Sequence, residues 1–302
     1  MCTGYYQNFS DAHNLMSYRH TRAHNSLLVN GIGQPYSTEG YGSVMRAMGG
    51  QHISYCLGDA SHAYRGISND PMWVGYFKQA GIEQTPENGF GATPLTKYRR
   101  HVLMLHPHTV IVYDELEASE AVRWEWLLHS PTEFKMDVTK KTLSTNNKTQ
   151  GWVAVTQLFG GHVFTLSQTD RFVVPPAITG AEYPNQWHLT ARVDGCSATR
   201  FLAIIQVGDE AVPIINRDGD TFNVGDWTIK AVLDASKAPE LTVSHRTEQA
   251  VFSYGTDNPA LNGNFYSRQY TGSSLLYDEI DGAYQVVEMT DRSPISTRVV
   301  NQ

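Results

Sequence analysis

A chain of 302 residues with 41% hydrophobic and 18% charged side chains can bury a substantial core, and its composition excludes a disordered chain. Its net charge of −7, with acidic and basic residues interleaved, excludes the basic footprint of a nucleic-acid binder, so an anionic ligand would have to be met by a local basic cluster. Three widely spaced cysteines (Cys2, Cys56, Cys196) define no disulfide framework, and no apolar run is long enough to span a bilayer, so no membrane association is expected.

The N-terminus shows no readable signal peptide and begins abruptly with Met1-Cys2-Thr3-Gly4, as a strand start or a piece of something longer would. The stretch SYRHTRAHNSLLVNGIGQ, residues 17–34, holds the strongest basic cluster, Arg19, His20, Arg22 and His24, and runs into SLLVNG, which reads as a strand. On a helix His20 and His24 would share a face. On a strand they lie about 13 Å apart, too far for two ligands of one metal unless the chain bends. GDASHAYRG, residues 58–66, gathers Asp59, His62, Tyr64 and Arg65 at a strand end, and Asn69–Thr93 is the longest segment without strand patterning, of the kind that is usually functional or mobile.

Period-two patterning dominates from about residue 95. HVLMLHPHTVIVYDEL reads as two strands joined by a turn at His106-Pro107-His108. In VRWEWLLHS, Val122, Trp124, Trp126 and Leu128 share one face, and Arg123, Glu125 and His129 fall on the polar one. Gly160-Gly161 and Asp281-Gly282 each separate two apolar runs as hairpin turns would, and Asp218-Gly219 and Gly225-Asp226 punctuate a further meander. The pattern predicts an all-β chain: a large antiparallel multi-sheet β-sandwich with its main body over residues 1–254 and a terminal hairpin region over 255–302 in the same unit. A Gly-x-Ser-x-Gly elbow and a phosphate loop are absent, and the cysteine spacing excludes a zinc ribbon. Asp114 and Glu115, adjacent on a strand, face opposite ways and make a poor acid/base pair.

Taken in order, GYYQNF, TRAHNSLLVNGIGQ, GDASHAYRG, RRHVLMLHPHTVIVYDEL and WEWLLHSP resemble the heparinase II/III-type polysaccharide lyases, over roughly the first 135 residues. The resemblance implies a β-sandwich that follows an α/α toroid, with the active cleft between them; the toroid is missing from this chain. It implies β-elimination on a uronate-containing polysaccharide of the heparin, heparan sulfate or alginate type, with this chain alone an incomplete enzyme. By position it implies His13 and Tyr18 as catalytic residues and Arg19, His20 and Arg22 as contacts to an anionic sugar. It also implies a structural zinc, held by His24 and by Cys2, which stands where the family has aspartate; the family's earlier His-x-His ligand strand has no counterpart here. Export to the periplasm or beyond is implied likewise. A non-catalytic carbohydrate-binding or structural sandwich is the alternative, and a homo-oligomer formed through the face a toroid would cover is a further option.

Overall fold

The computed structural model describes residues 8–147, 151–176, 186–209, 212–261, 264–291 and 293–299. Ten strands build the first sheet: β1 (Leu27–Val29), β2 (Ser43–Gly49), β3 (Ile53–Asp59), β4 (Leu95–Leu105), β5 (Thr109–Ser130), β6 (Lys135–Asp137), β7 (Thr142–Asn147), β8 (Trp152–Gly160), β9 (Thr165–Thr169) and β10 (Trp187–Gly208). Their order is β2-β3-β4-β5-β10-β8-β7-β6, with β1 added to β5 and β9 to β10. The second sheet runs in order through β11 (Ile215–Asp218), β12 (Thr221–Val224), β13 (Trp227–Ala231), β14 (Leu241–His245) and β15 (Val251–Tyr254). A small hairpin, β16 (Ala260–Leu261) and β17 (Asn264–Phe265), then precedes β18 (Ser274–Ile280), β19 (Ala283–Thr290) and β20 (Ser293–Val299), which complete that sheet. Every strand pair is antiparallel, and β15 pairs directly with β18, so the strands on either side of residue 255 share one sheet.

β5 and β10 are each 22 residues long. At about 3.3 Å per residue a straight pair would outrun the domain, and the ladder shifts register between Val193 and Ala198, where Gly195 takes a left-handed φ of +73°. Alternation nevertheless holds along β5. Leu116, Val122, Trp124, Trp126 and Leu128 face one core together with Leu27, Val29, Tyr64, Phe134 and Phe201. On the opposite face Ile111 and Tyr113, with Leu202 and Ile204 of β10, pack against Phe222, Ile229, Val243 and Phe252 of the second sheet. Asp114 and Glu115 serve different layers: Asp114 binds Arg100 (2.7 and 2.8 Å) and the Trp126 indole (2.9 Å), whereas Glu115 binds His101 (3.0 Å) and the Tyr254 hydroxyl (2.8 Å).

A polar seam crosses between the sheets. Arg46 donates to Ser274 Oγ (2.9 Å), Ser274 to Tyr55 Oη (2.9 Å), Tyr55 to His101 Nδ1 (3.0 Å) and His101 Nε2 to Glu115. Burial keeps His101 neutral. Burial alone would push the Glu115 carboxyl up, but the hydrogen bond from His101 and the Lys97 ammonium at 2.7 Å hold it below its ordinary value of 4.5. Asp291, joined to Arg46 and Arg99 at 2.8 Å each, is also held below the usual carboxylate range, against a burial that pushes the other way. Nearby, fully buried Asp278 of β18 accepts from the backbone amides of His52 (2.9 Å) and Ile53 (2.8 Å) and so pins the β2–β3 turn to the second sheet.

Three features differ from the sequence reading. Gly160-Gly161 is no hairpin turn, because β8 and β9 both pair with β10 and not with each other. Gly161 instead lets the Leu233 carbonyl approach where a Cβ would sit. The segment 69–93 contains a helix, α1 (Pro71–Ala80), started by Asp70, whose side chain accepts from Met72 N, and stopped by Gly81 at φ +66°. His129, read as a polar strand end, is buried. The turns at Asp281-Gly282, Gly219 and Gly225 do carry the positive φ that hairpins need.

Two outcomes are expected. Asp278→Ala, which strands two buried amides, should lower the unfolding free energy by about 3 kcal/mol, and Gly50→Ala should also destabilise, since its Cβ would fall inside the Asp278 carboxyl group; urea denaturation measures both. A carboxylate whose folded pKa is depressed stabilises above its unfolded value and loses that contribution as pH falls. Urea midpoints should therefore drop from pH 6 towards pH 3, and Glu115→Gln should flatten that drop while lowering stability at pH 7.

Candidate functional site

Beyond the bulge, the face of β5 and β10 that meets the second sheet is left free and becomes the floor of a cavity of about 590 Å³. Arg123, Glu125 and Leu127 of β5, Leu28 of β1, and His188 and Thr190 of β10 form this floor. The walls come from three distant segments: Ser17 and Arg22, then Pro86 and Glu87, then Thr169 and Arg171 to Val173. The first two are tied together by a small apolar layer in which Leu15 and Met16 pack on Phe77 of α1 and on Phe90, with Tyr36 and Trp73 alongside. The Tyr36 hydroxyl donates to Leu15 O (2.6 Å), and Gly33 N donates to Gly89 O (2.9 Å).

The cluster at residues 17–24 is neither α-helix nor strand. A 3-10 turn over Thr21–Ala23 bends the chain between His20 and His24. Of the residues expected at the site, Arg22 lines the cavity. His20, expected at the substrate, is fully buried behind the wall. Its Nδ1 accepts from Arg22 N (3.1 Å) and Arg22 Nε (3.0 Å), and its Nε2 donates to Gly89 O (3.0 Å). Burial, aided by the Arg22 charge, pushes its pKa down to about 3. His13 is also fully buried; its Nδ1 lies 2.6 Å from Val174 O, its Nε2 has no partner among the described residues, and its ring meets Phe172 edge-on at 4.8 Å. Tyr18 ends a π turn over Asn14–Tyr18 and is half-buried. Arg19 lies over the rings of Phe9 (5.6 Å) and Trp73 (5.0 Å), away from the cavity lining.

His24 is half-buried, and burial lowers its pKa, so the ring is neutral as a metal ligand must be. Cys2 lies outside the described residues. Among the described residues no three histidine, cysteine or acidic groups are placed to hold a metal ion.

Sequence reasoning missed Arg123, Glu125, Arg171 and His188. The Arg123–Glu125 pair, at 3.3 Å, is two residues apart on one strand face and looked solvated because alternation alone does not say what covers a polar face. His188 meets His129 (4.8 Å) and Phe172 (5.2 Å) edge-on, and its buried Nε2 has no hydrogen-bond partner among the described residues. His129, pushed down to about 4 by burial and by His188, lies 2.9 Å from Arg22 O. Three arginines against two glutamates give the lining a formal charge of +1 in a protein of −7. With Leu28, Leu127, Pro86 and Phe172 supplying apolar surface, the cavity suits a sugar ring that carries an anionic group.

The profile of the family described as heparinase II/III-like, C-terminal, matches residues 2–192. No curated protein matches the chain in sequence. Solved structures share the fold: heparinase III, the BT4657 gene product with methylated lysines, has a TM-score of 0.53 at 12% identity over 84% of this chain and 33% of its own. Heparan sulfate lyase HepC from Pedobacter heparinus has a TM-score of 0.52 at 11% identity over 89% and 34%, and another heparinase III structure 0.51 at 14% over 89% and 33%. The chain thus spans about a third of the length of these enzymes. The matched residues run from the N-terminal segment through β5 to the start of β10 and include the whole cavity lining, and the protein belongs to the heparinase II/III-like C-terminal family.

Proposed function

We propose that this chain is the β-domain of a polysaccharide lyase, which binds uronate-containing polysaccharide in the arginine-lined cavity and acts in β-elimination beside a helical domain. The observation that carries the reading is the cationic cavity, held open by three separate segments in an acidic protein. In β-elimination a base takes the C5 proton of a uronate, whose acidity depends on neutralising the adjacent carboxylate, and an acid protonates the departing glycosidic oxygen. Arg22 supplies the neutralising charge in this reading. His13 and Tyr18 are the groups of this chain assigned to proton transfer; His13 Nδ1 faces Val174 O, and its Nε2 is unpartnered among the described residues.

One observation favours a second reading, a carbohydrate-binding sandwich without catalysis: His13 is sealed from solvent and from the cavity lining. Both readings are tested by incubating the 302-residue chain with heparan sulfate, chondroitin, hyaluronan and alginate while following the ultraviolet absorbance of unsaturated uronate, with affinity electrophoresis in parallel. Retardation by uronate polymers and not by dextran is the expected result. Unsaturated product that disappears in His13→Ala or Tyr18→Phe would assign the chemistry to this chain. Retardation without product would place it in the partner domain or favour the second reading, and no retardation by any uronate polymer would sink both.

A further inference from the structure

Arg22 and His20 form a device whose purpose the family membership does not explain. The two donors on His20 Nδ1, the backbone amide and Nε of Arg22, can only donate, so Nδ1 carries no proton and Nε2–H points to Gly89 O. The imidazole is therefore neutral and in one tautomer. The second anchor of the guanidinium, Asn88 O at 2.9 Å from Nη2, is neutral as well. Among the described residues Arg22 forms no ion pair; Glu125, which acts on it through space, is already paired with Arg123. The slot is built tightly. A Cβ on Gly89, at φ +90°, would lie 2.6 Å from His20 Nε2 and would collide with Arg22 Nη2, and one on Gly33 would lie 2.9 Å from His20 Cε1. Phe90 closes the ring edge-on at 4.9 Å.

An arginine oriented by a carboxylate has its charge cancelled where it stands, whereas one oriented by a neutral imidazole and a carbonyl is equally fixed and keeps its charge for a ligand. Nε and Nη2 are engaged by His20 Nδ1 and Asn88 O, and Nη2 also lies 3.5 Å from His20 Nε2, which leaves the Nη1 pair for an incoming anion. We propose that Arg22 is an anion receptor that grips one carboxylate or sulfate ester group of a glycan in the cavity, and that His20 is its positioning residue. The proposal rests on the reading that the cavity binds an anionic glycan, and it adds which group does the gripping and what holds that group.

The test is calorimetric titration of the 302-residue chain with an unsulfated uronate tetrasaccharide, which offers carboxylate alone, and with a sulfated oligosaccharide of neutral sugars, which offers sulfate ester alone. Whichever binds identifies the group. Arg22→Gln should weaken that ligand roughly tenfold or more and reduce the salt dependence of binding. His20→Leu, which removes the acceptor, should weaken it comparably. His20→Asn, whose Oδ1 stands in for Nδ1 and also suits the start of the 3-10 turn, should bind within about threefold of the unchanged protein. Long-range proton–nitrogen NMR should show His20 as the Nε2–H tautomer before and after ligand, a signature that needs no variant to fold. Binding that survives Arg22→Gln, a His20→Asn variant as weak as His20→Leu, or a protonated His20 would each overturn this proposal and leave glycan binding standing. Failure of both ligands to bind the unchanged chain would overturn it together with the reading beneath it.

Discussion

The bend in the β5–β10 pair is the constraint on which the rest depends. Two strands of 22 residues cannot bury both faces against one partner layer. The register shift between Val193 and Ala198 divides them into two spans that keep the same alternation but meet different neighbours. On one side a single core, centred on Trp124, Trp126 and Phe201, runs through the bend. On the other, the first span is covered by the second sheet through Ile111, Tyr113 and Leu202, and the second span is covered by loops that do not fill it. The cavity is the uncovered remainder of a sheet face, and its floor is as rigid as the core on the reverse of the same strands.

That geometry explains what could be read from the residues alone. Alternation in VRWEWLLHS correctly put Val122, Trp124, Trp126 and Leu128 on a buried face, because burial of one face is what period two encodes. The same alternation left Arg123 and Glu125 as a solvated face, since a strand facing water and a strand facing a cavity share one pattern. The walls that settle the matter, Arg22, Pro86 and Phe172, are remote in sequence. Helix α1 was signalled locally by Asp70-Pro71 and Gly81, but its ten residues are too few for a periodic apolar face to stand out. Gly160-Gly161 misled for a related reason: a glycine pair marks a hairpin only when the flanking strands pair with each other, and here both pair with β10.

The basic cluster illustrates the limit of spacing arguments. Helix and strand spacings were weighed for His20 and His24, and the chain adopts neither, turning instead through Thr21–Ala23. The turn sends His20 inward to full burial and leaves Arg22 at the cavity. Two basic residues two positions apart thus take opposite places, His20 buried and Arg22 lining the cavity, from a single local bend.

Two buried imidazoles in this fold do the same thing in different electrostatic company. His101 accepts from Tyr55 through Nδ1 and donates to Glu115 through Nε2, and the Glu115 charge is met by Lys97. His20 accepts from Arg22 through Nδ1 and donates to Gly89 O through Nε2. Each ring is neutral and fully buried; at His20 the partners can only donate on one side and only accept on the other, and at His101 the Tyr55 hydroxyl, which already accepts from Ser274, donates to Nδ1 while the Glu115 carboxylate accepts from Nε2. Between the sheets the charges are balanced and the arrangement locks two layers together. At the cavity the imidazole ends on a carbonyl, no carboxylate among the described residues pairs with the arginine, and the imbalance stands where a ligand can meet it.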